Sequence, residues 1–130
     1  MKKNNNTKTT KKQQKKVQPQ GVAYVNSTFN NTLITIADKE GNVICWTSAG
    51  SKFRGSKKAT PFAAATVSEE VAKEAYSYGL REIDVVMKGA GNAKTHSVKS
   101  LRNGGLVIKS IYDKTPVKHG GVKPKKRRRL

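Results

Sequence analysis

Most of the excess charge of this chain lies at its two ends, so only the middle can form a folded core. The 130 residues include 27 Lys and Arg against 8 Asp and Glu, a formal net charge of +19. Acid-free ends carry most of it, with seven Lys in residues 1–16 and eight cations in residues 114–130. Because unpaired charge is costly to remove from water, neither end can pack into a core. We predict one domain at residues 21–112, between a basic N-terminal arm (1–20) and a basic C-terminal tail (113–130).

The N-terminal arm also lacks the apolar residues that folding requires. It consists mainly of Lys, Asn, Thr and Gln, and Val17 is its only aliphatic residue after Met1. Such a segment cannot offset the entropy lost on ordering, so we expect it to be disordered on its own. It has neither the apolar stretch of a secretory signal nor the Arg content of a transit peptide, and we interpret it as part of the mature protein.

Two ends of the same sign predict a polyanionic partner. Five consecutive cations, Lys125–Arg129, stand directly before the final Leu130. Lys and Arg attract nucleic acid by neutralising phosphates and releasing counterions. A membrane surface or an acidic protein is the alternative, but no apolar run approaches the roughly 20 residues of a membrane span. We expect nucleic acid as the partner, no membrane and no homo-oligomer.

The Cys and His residues give no sign of a disulfide, a metal or a cofactor. A single cysteine, Cys45, excludes an intramolecular disulfide and favours a reducing compartment. Cys45 lies in the apolar run Val43–Trp46, which predicts a buried structural thiol. His96 and His119 are far apart and have no metal-ligand spacing.

Hydrophobic patterning predicts five strands and two helices. The strands are expected at 22–28, 32–38, 43–48, 82–88 and 106–112. Thr60 and Pro61 predict the start of a helix, with a hydroxyl at the N-cap and Pro at the first helical position. A stripe from Ala64 to Tyr78 faces a core, and a second, short helix carries Val98 and Leu101.

This element order, β-β-β-α-β-α-β, predicts the fold class. A hairpin meander followed by two crossover units gives a mixed sheet with helices packed on it. We predict a single α/β domain with a five-stranded mixed sheet, two helices and basic unstructured arms.

The segment between the third strand and the first helix is the first candidate site. Residues 49–60 contain four cations and no acid. Glycine lets the backbone approach a phosphate, hydroxyls add hydrogen bonds, Arg can fork onto a phosphate and Lys adds a point charge. The expected contacts are Lys52, Arg54, Gly55, Ser56, Lys57 and Lys58. An ordinary solvated loop is the alternative.

The turn before the second helix is a second candidate. Gly89 and Gly91 can form a backbone cradle for a phosphate, and Lys94 follows them. Lys94 stands where a dinucleotide fingerprint would have its third glycine, so a nucleotide site is not indicated. A plain turn remains the alternative.

The carboxylates give little support to catalysis. A metal-dependent nuclease would need acidic side chains clustered around two ions. The candidates are Asp38, Glu70, Glu74 and Asp84, but the helical Glu residues fit a solvated face and Asp38 opens a turn. We predict that the protein is not an enzyme.

Several stretches together resemble the small ribosomal subunit protein eleven family over nearly all of residues 21–130. Their shared order is more specific than any one of them. The stretches are Ser27–Thr32, Asp38–Asn42, Trp46–Gly50, Phe53–Ala64, Lys88–Gly91 and Asp113–Pro116, then His119 and the terminal basic run.

The resemblance implies a sheet of ribonuclease-H-like topology without nuclease activity. It also implies a structural constituent of the small ribosomal subunit, on the platform near the mRNA exit and the E site. The implied partners are small-subunit rRNA and neighbouring small-subunit proteins seven, eighteen and twenty-one, with mRNA nearby. In the tail, the family's RNA contacts correspond to His119, Lys123, Lys125, Lys126, Arg127, Arg128 and Arg129.

Some positions depart from the family pattern. They are Ala65, Ala93, Thr95, Gly120 and Lys125, and the loop between Gly50 and Phe53 is one residue short. Together with the Lys- and Asn-rich arm, they favour an organellar ribosome, in a mitochondrion or plastid, over the alternative of the bacterial cytoplasm. Two other functions stay open at this point: a free DNA-compacting or nuclear protein, and a degenerate nuclease.

Overall fold

The computed structural model describes residues 18–129. The predicted disorder of the arm falls mostly on residues 1–17, which lie outside the described part of the chain. The described elements are β1 (Gln20–Ser27), β2 (Thr32–Asp38), β3 (Val43–Ser48), α1 (Pro61–Ser77), β4 (Glu82–Lys88), α2 (Lys94–Asn103) and β5 (Val107–Asp113).

The five strands form one mixed sheet in the order β3-β2-β1-β4-β5. β1 pairs antiparallel with β2, and β2 pairs antiparallel with β3. β4 lies parallel to both β1 and β5. The predicted α/β class, the mixed five-stranded sheet and the two helices are confirmed.

Both helices pack on one face of the sheet, and the core lies between them and the strands. Alternate residues of the central strand β1, such as Ala23 and Val25, are buried there together with Ile34 and Ile36 of β2. α1 packs over β2 and β3, while α2 packs beside it over β1 and β4. The predicted α1 stripe is confirmed from Ala64 through Ala75, and Tyr78 is half-buried.

Neither α1 nor α2 packs on the opposite face of the sheet. One row of paired residues crosses all five strands on this face: Trp46, Thr35, Tyr24, Val86 and Tyr112. Its three aromatic side chains, Trp46, Tyr24 and Tyr112, lie on the alternate strands β3, β1 and β5. They are 43–67% exposed. The fold therefore has a helix-covered face and an aromatic open face.

Cys45 is buried, as the sequence predicted. Its side chain is 6% exposed and lies 3.8 Å from the backbone oxygen of Val71 in α1. Burial raises the pKa of the Cys45 thiol to about 12. Since the thiolate is the nucleophile and the metal ligand, this cysteine acts as a packing residue.

Candidate nucleic-acid interface

All three segments predicted to bind RNA leave the same end of the sheet. β1, β3, β4 and β5 run in one direction, so their carboxyl ends share one edge. The loop 49–60 follows β3, the loop 89–93 follows β4, and the tail follows β5. Both helices also begin here, because each follows one of these strands. We call this edge the basic end.

The loop 49–60 is folded rather than open. It contains two short 3-10 turns, Ala49–Ser51 and Gly55–Ala59. The Ser51 hydroxyl donates a 2.6 Å hydrogen bond to the Ser48 carbonyl. Phe53 packs against the core, which holds the middle of the loop to the domain. The neighbouring side chains are thus presented from a fixed backbone.

The four cations of this loop differ in their availability. Lys52 forms an ion pair with Glu70 of α1. Arg54, Lys57 and Lys58 form no ion pair with any residue from 18 to 129, and Arg54 and Lys57 are exposed. These three are therefore available to phosphates without first losing an internal partner.

The starts of the helices add partial positive charge to the basic end. Thr60 caps α1 as predicted, because its hydroxyl oxygen accepts a 3.3 Å hydrogen bond from the Ala63 N–H. Neither helix has an acid in its first turn. The N-cap residue of α2 is Ala93, which has no side-chain acceptor, so the first N–H groups of α2 lack a side-chain cap. The N-terminus of each of the two helices therefore favours an anion through the helix dipole.

The Gly89–Gly91 turn lies against the end of β1. The Gly91 N–H donates a 3.0 Å hydrogen bond to the Ser27 carbonyl. A Cβ at Gly91 would lie 2.3 Å from the Ser27 Oγ, and one at Gly89 would lie 2.0 Å from the Ser27 carbonyl oxygen. Gly89 also has a φ of +102°, which L side chains rarely adopt. The glycines are required by close packing, and this packing fixes the turn beside β1.

Asn31 joins the β1–β2 turn to the loop 49–60, and the sequence analysis did not identify this role. Its Oδ1 accepts hydrogen bonds from the Gly50 N–H at 3.1 Å and from the Thr32 N–H at 2.8 Å. Together with the contact between Gly91 and Ser27, this bond connects three loops into one surface. The paired Asn residues were interpreted only as a turn, and a sequence pattern gives no sign of a bond between residues 19 positions apart.

The tail begins at an ordered turn and then extends away. The Asp113 carboxylate accepts hydrogen bonds from the Thr115 hydroxyl at 2.6 Å and the Thr115 N–H at 3.1 Å, and it pairs with Lys94 at 3.2 Å. These bonds, with Thr115 contributing most, lower the pKa of Asp113 to about 2. Lys94 thus holds the root of the tail beside the start of α2.

Beyond this turn the tail cations are held by no part of the domain. Residues 116–129 form no helix or strand and make no hydrogen bond or ion pair with another residue in the range 18–129. The predicted contacts His119, Lys123 and Lys125–Arg129 are all exposed. They are available to a partner outside the domain.

The carboxylates within residues 18–129 belong to no cluster that could hold a metal ion. No group of three or more His, Cys, Asp or Glu residues within 18–129 could hold a metal ion. Asp38 accepts hydrogen bonds from the backbone of Asn42 and Glu40 in the β2–β3 turn, and these bonds lower its pKa. Asp84 accepts a 2.7 Å hydrogen bond from Ser110. Within the same residues, no helix is long and apolar enough to cross a membrane.

A protein-family model described as ribosomal protein S11 matches residues 21–129. The chain belongs to the ribosomal protein S11 family. The small ribosomal subunit protein uS11 of Rippkaea orientalis (strain PCC 8801 / RF-1) is 48% identical over 124 residues, which cover 95% of each chain. The resemblance found in the sequence is confirmed, and S11 membership shows a structural, non-enzymatic protein of the small ribosomal subunit. The matched range includes all five positions that depart from the family pattern.

Proposed function

We propose that the protein binds small-subunit rRNA through its basic end and thereby acts as a structural constituent of the ribosome. One observation carries this proposal: the loop 49–60, the turn 89–91 and the tail all leave the same edge of the sheet. The first two are also bonded to the β1–β2 turn that lies between them. Cations that are distant in sequence thus form one surface that can follow a folded RNA.

The parts of this surface have different roles in the proposed contact. Arg54, Lys57 and Lys58 bind phosphates directly, because no acid within 18–129 neutralises them. Lys52 contributes less, because a phosphate must compete with Glu70 for it. Gly55 offers its backbone and Ser56 its hydroxyl. Gly89 and Gly91 keep the approach to the start of α2 free of side chains, while the Gly91 N–H is already bonded to the Ser27 carbonyl.

The tail supplies affinity rather than position in this proposal. Its cations extend from a turn that Lys94 and Asp113 hold in place, and its backbone is not held by the domain. An exposed chain of this kind can follow the phosphates of an adjacent rRNA helix. His119, Lys123 and the five residues from Lys125 to Arg129 make these contacts.

We further propose a position on the platform near the mRNA exit and E site, beside small-subunit proteins seven, eighteen and twenty-one. This part rests on the family resemblance. The open face of the sheet supports protein neighbours, since exposed Trp and Tyr side chains are enriched where proteins contact each other.

An organellar ribosome remains our proposal for the location, with the bacterial cytoplasm as the alternative. The Lys- and Asn-rich arm supports it. The cyanobacterial source of the relative is consistent with a plastid-type protein.

Purification of the tagged full-length chain from its source cells tests the function and the location together. We expect the chain to sediment with small ribosomal subunits in moderate salt, and sequencing of the co-purified rRNA identifies the compartment. A chain that is absent from the small-subunit fraction would refute the ribosomal role. Sequencing that finds only bacterial rRNA would refute the organellar location alone.

A further inference from the structure

Phe29 exposes an aromatic ring at the centre of the basic end. It lies in the β1–β2 turn, has no polar side-chain atom and is 73% exposed. A single exposed apolar residue is common in folded proteins and carries no conclusion by itself. Here the turn and its surroundings provide further evidence.

The turn that carries Phe29 is held rigidly. The Thr28 N–H donates a 2.8 Å hydrogen bond to the Asn31 carbonyl. The Thr28 hydroxyl donates to the same carbonyl at 3.1 Å, and its oxygen accepts from the N–H groups of Asn31 at 3.1 Å and Asn30 at 3.4 Å. The backbone of Phe29 is therefore fixed before any partner binds. Binding then costs little additional conformational entropy at this turn.

The turn also lies between the two proposed phosphate-binding segments. On one side, Asn31 accepts a hydrogen bond from Gly50 at the start of the loop 49–60. On the other side, the Ser27 carbonyl accepts one from Gly91. The shortest path of a nucleic-acid chain between the two segments therefore crosses the turn that carries Phe29.

We propose that Phe29 stacks on an unpaired base of the bound rRNA. This inference rests on the proposed rRNA-binding function and adds a specific contact to it. An aromatic face stacks on any base, because every base has a π face, whereas a base within a duplex is already stacked on both sides. An apolar pocket of a neighbouring protein is the competing occupant. Base stacking is favoured because the loop 49–60 on one side of the ring carries three cations that form no ion pair with residues 18–129, and the uncapped start of α2 on the other side favours an anion.

Binding of the full-length chain to a small-subunit rRNA transcript from Rippkaea orientalis tests the proposal. Base stacking on an aromatic side chain is lost on alanine substitution, so Phe29→Ala should weaken affinity by about 5- to 150-fold. Phe29→Tyr should keep the affinity to within about twofold, because a phenol stacks as a phenyl does. Phe29→Leu should weaken the affinity nearly as much as Phe29→Ala, because leucine has no π face to stack on a base. The slope of affinity against salt should not change, since no phosphate contact is removed.

The matched control is Trp46→Ala, which removes another exposed ring from the open face of the sheet. It should leave the rRNA affinity unchanged. An equal loss from Trp46→Ala would overturn the assignment to Phe29, as would equal affinity of the Leu and Tyr variants. Thermal melting should show that all variants fold, because both rings lie outside the core.

The two proposals fail in different ways. If Phe29→Ala binds the transcript like the wild type while Arg54→Gln weakens binding, the stacking proposal is wrong and the function stands. If Phe29→Ala binds the transcript normally but fails to join small subunits, the ring docks on a protein, and the stacking proposal is again wrong. If the wild type does not bind the transcript, the proposed function itself fails.

Discussion

Removing the three unpaired cations of the loop 49–60 should change how rRNA binding depends on salt. The triple variant Arg54→Gln, Lys57→Gln, Lys58→Gln removes three positive charges that have no ion-pair partner among residues 18–129. Each phosphate contact contributes about 0.7 to 0.9 to the slope of log affinity against log salt. Three lost contacts should flatten this slope by about 2 to 3.

The change in slope predicts how the ratio of wild-type affinity to variant affinity changes with salt. Between about 50 mM and about 200 mM salt, the advantage of the wild type over the triple variant should shrink by about 20- to 40-fold. The assay is fluorescence anisotropy with a labelled small-subunit rRNA transcript from Rippkaea orientalis. Because none of the three side chains lies in the core, the thermal midpoint of the free protein should not change.

The matched control removes three charges away from the basic end. Lys39 lies in the β2–β3 turn, Lys73 lies on α1 paired with Glu69, and Arg102 lies in the last turn of α2. The variant Lys39→Gln, Lys73→Gln, Arg102→Gln should keep the wild-type slope. The reasoning is refuted if the loop variant keeps the wild-type slope, or if the control flattens it equally.

Three further predictions concern the packing of the domain and the start of the tail. Gly91→Ala places a methyl group against Ser27 and should lower the free energy of unfolding by about 1 to 3 kcal/mol in urea denaturation, and an unchanged value would show that the turn can relax. Cys45 should not react with a disulfide reagent at neutral pH until the protein is unfolded, because burial raises its pKa to about 12, and fast reaction of the native protein would contradict this. The pKa of Asp113 is about 2 in the fold, so its stabilising contacts are complete above its ordinary value of 3.8 and are lost as the pH falls through about 2. Thr115→Val should raise this pKa in an NMR titration, and an unchanged pKa would mean that the hydroxyl contributes nothing.

The elements of the fold could be predicted because their signals are local. The bounds of β2 at Thr32–Asp38, β3 at Val43–Ser48 and β4 at Glu82–Lys88 agree with the sequence pattern. Each is a run of β-branched or apolar residues that ends at a turn signal. Thr60 and Pro61 likewise set the start of α1. Even the ion pair between Glu69 and Lys73 follows from helical spacing, and it is present at 2.9 Å.

The arrangement of the interface could be predicted only in part. The cations and glycines were identified from composition, but the bonds that join their loops connect residues far apart in the chain. The bond from Gly50 to Asn31 and the ion pair between Lys52 and Glu70 span 19 and 18 positions and follow no local period. They depend on which strands are neighbours in the sheet. The position of Phe29 between the two segments could not be predicted for the same reason.

Site-specific photocrosslinking tests most directly the central claim that the basic end faces small-subunit rRNA. A photoreactive side chain is introduced at Lys57, in the loop 49–60, or at Lys39, which is exposed in the β2–β3 turn at the opposite end of the sheet. Assembled small subunits that contain each variant are then irradiated. We predict crosslinks to small-subunit rRNA from position 57 and few or none from position 39. Crosslinks to rRNA from position 39 with none from position 57 would contradict the account.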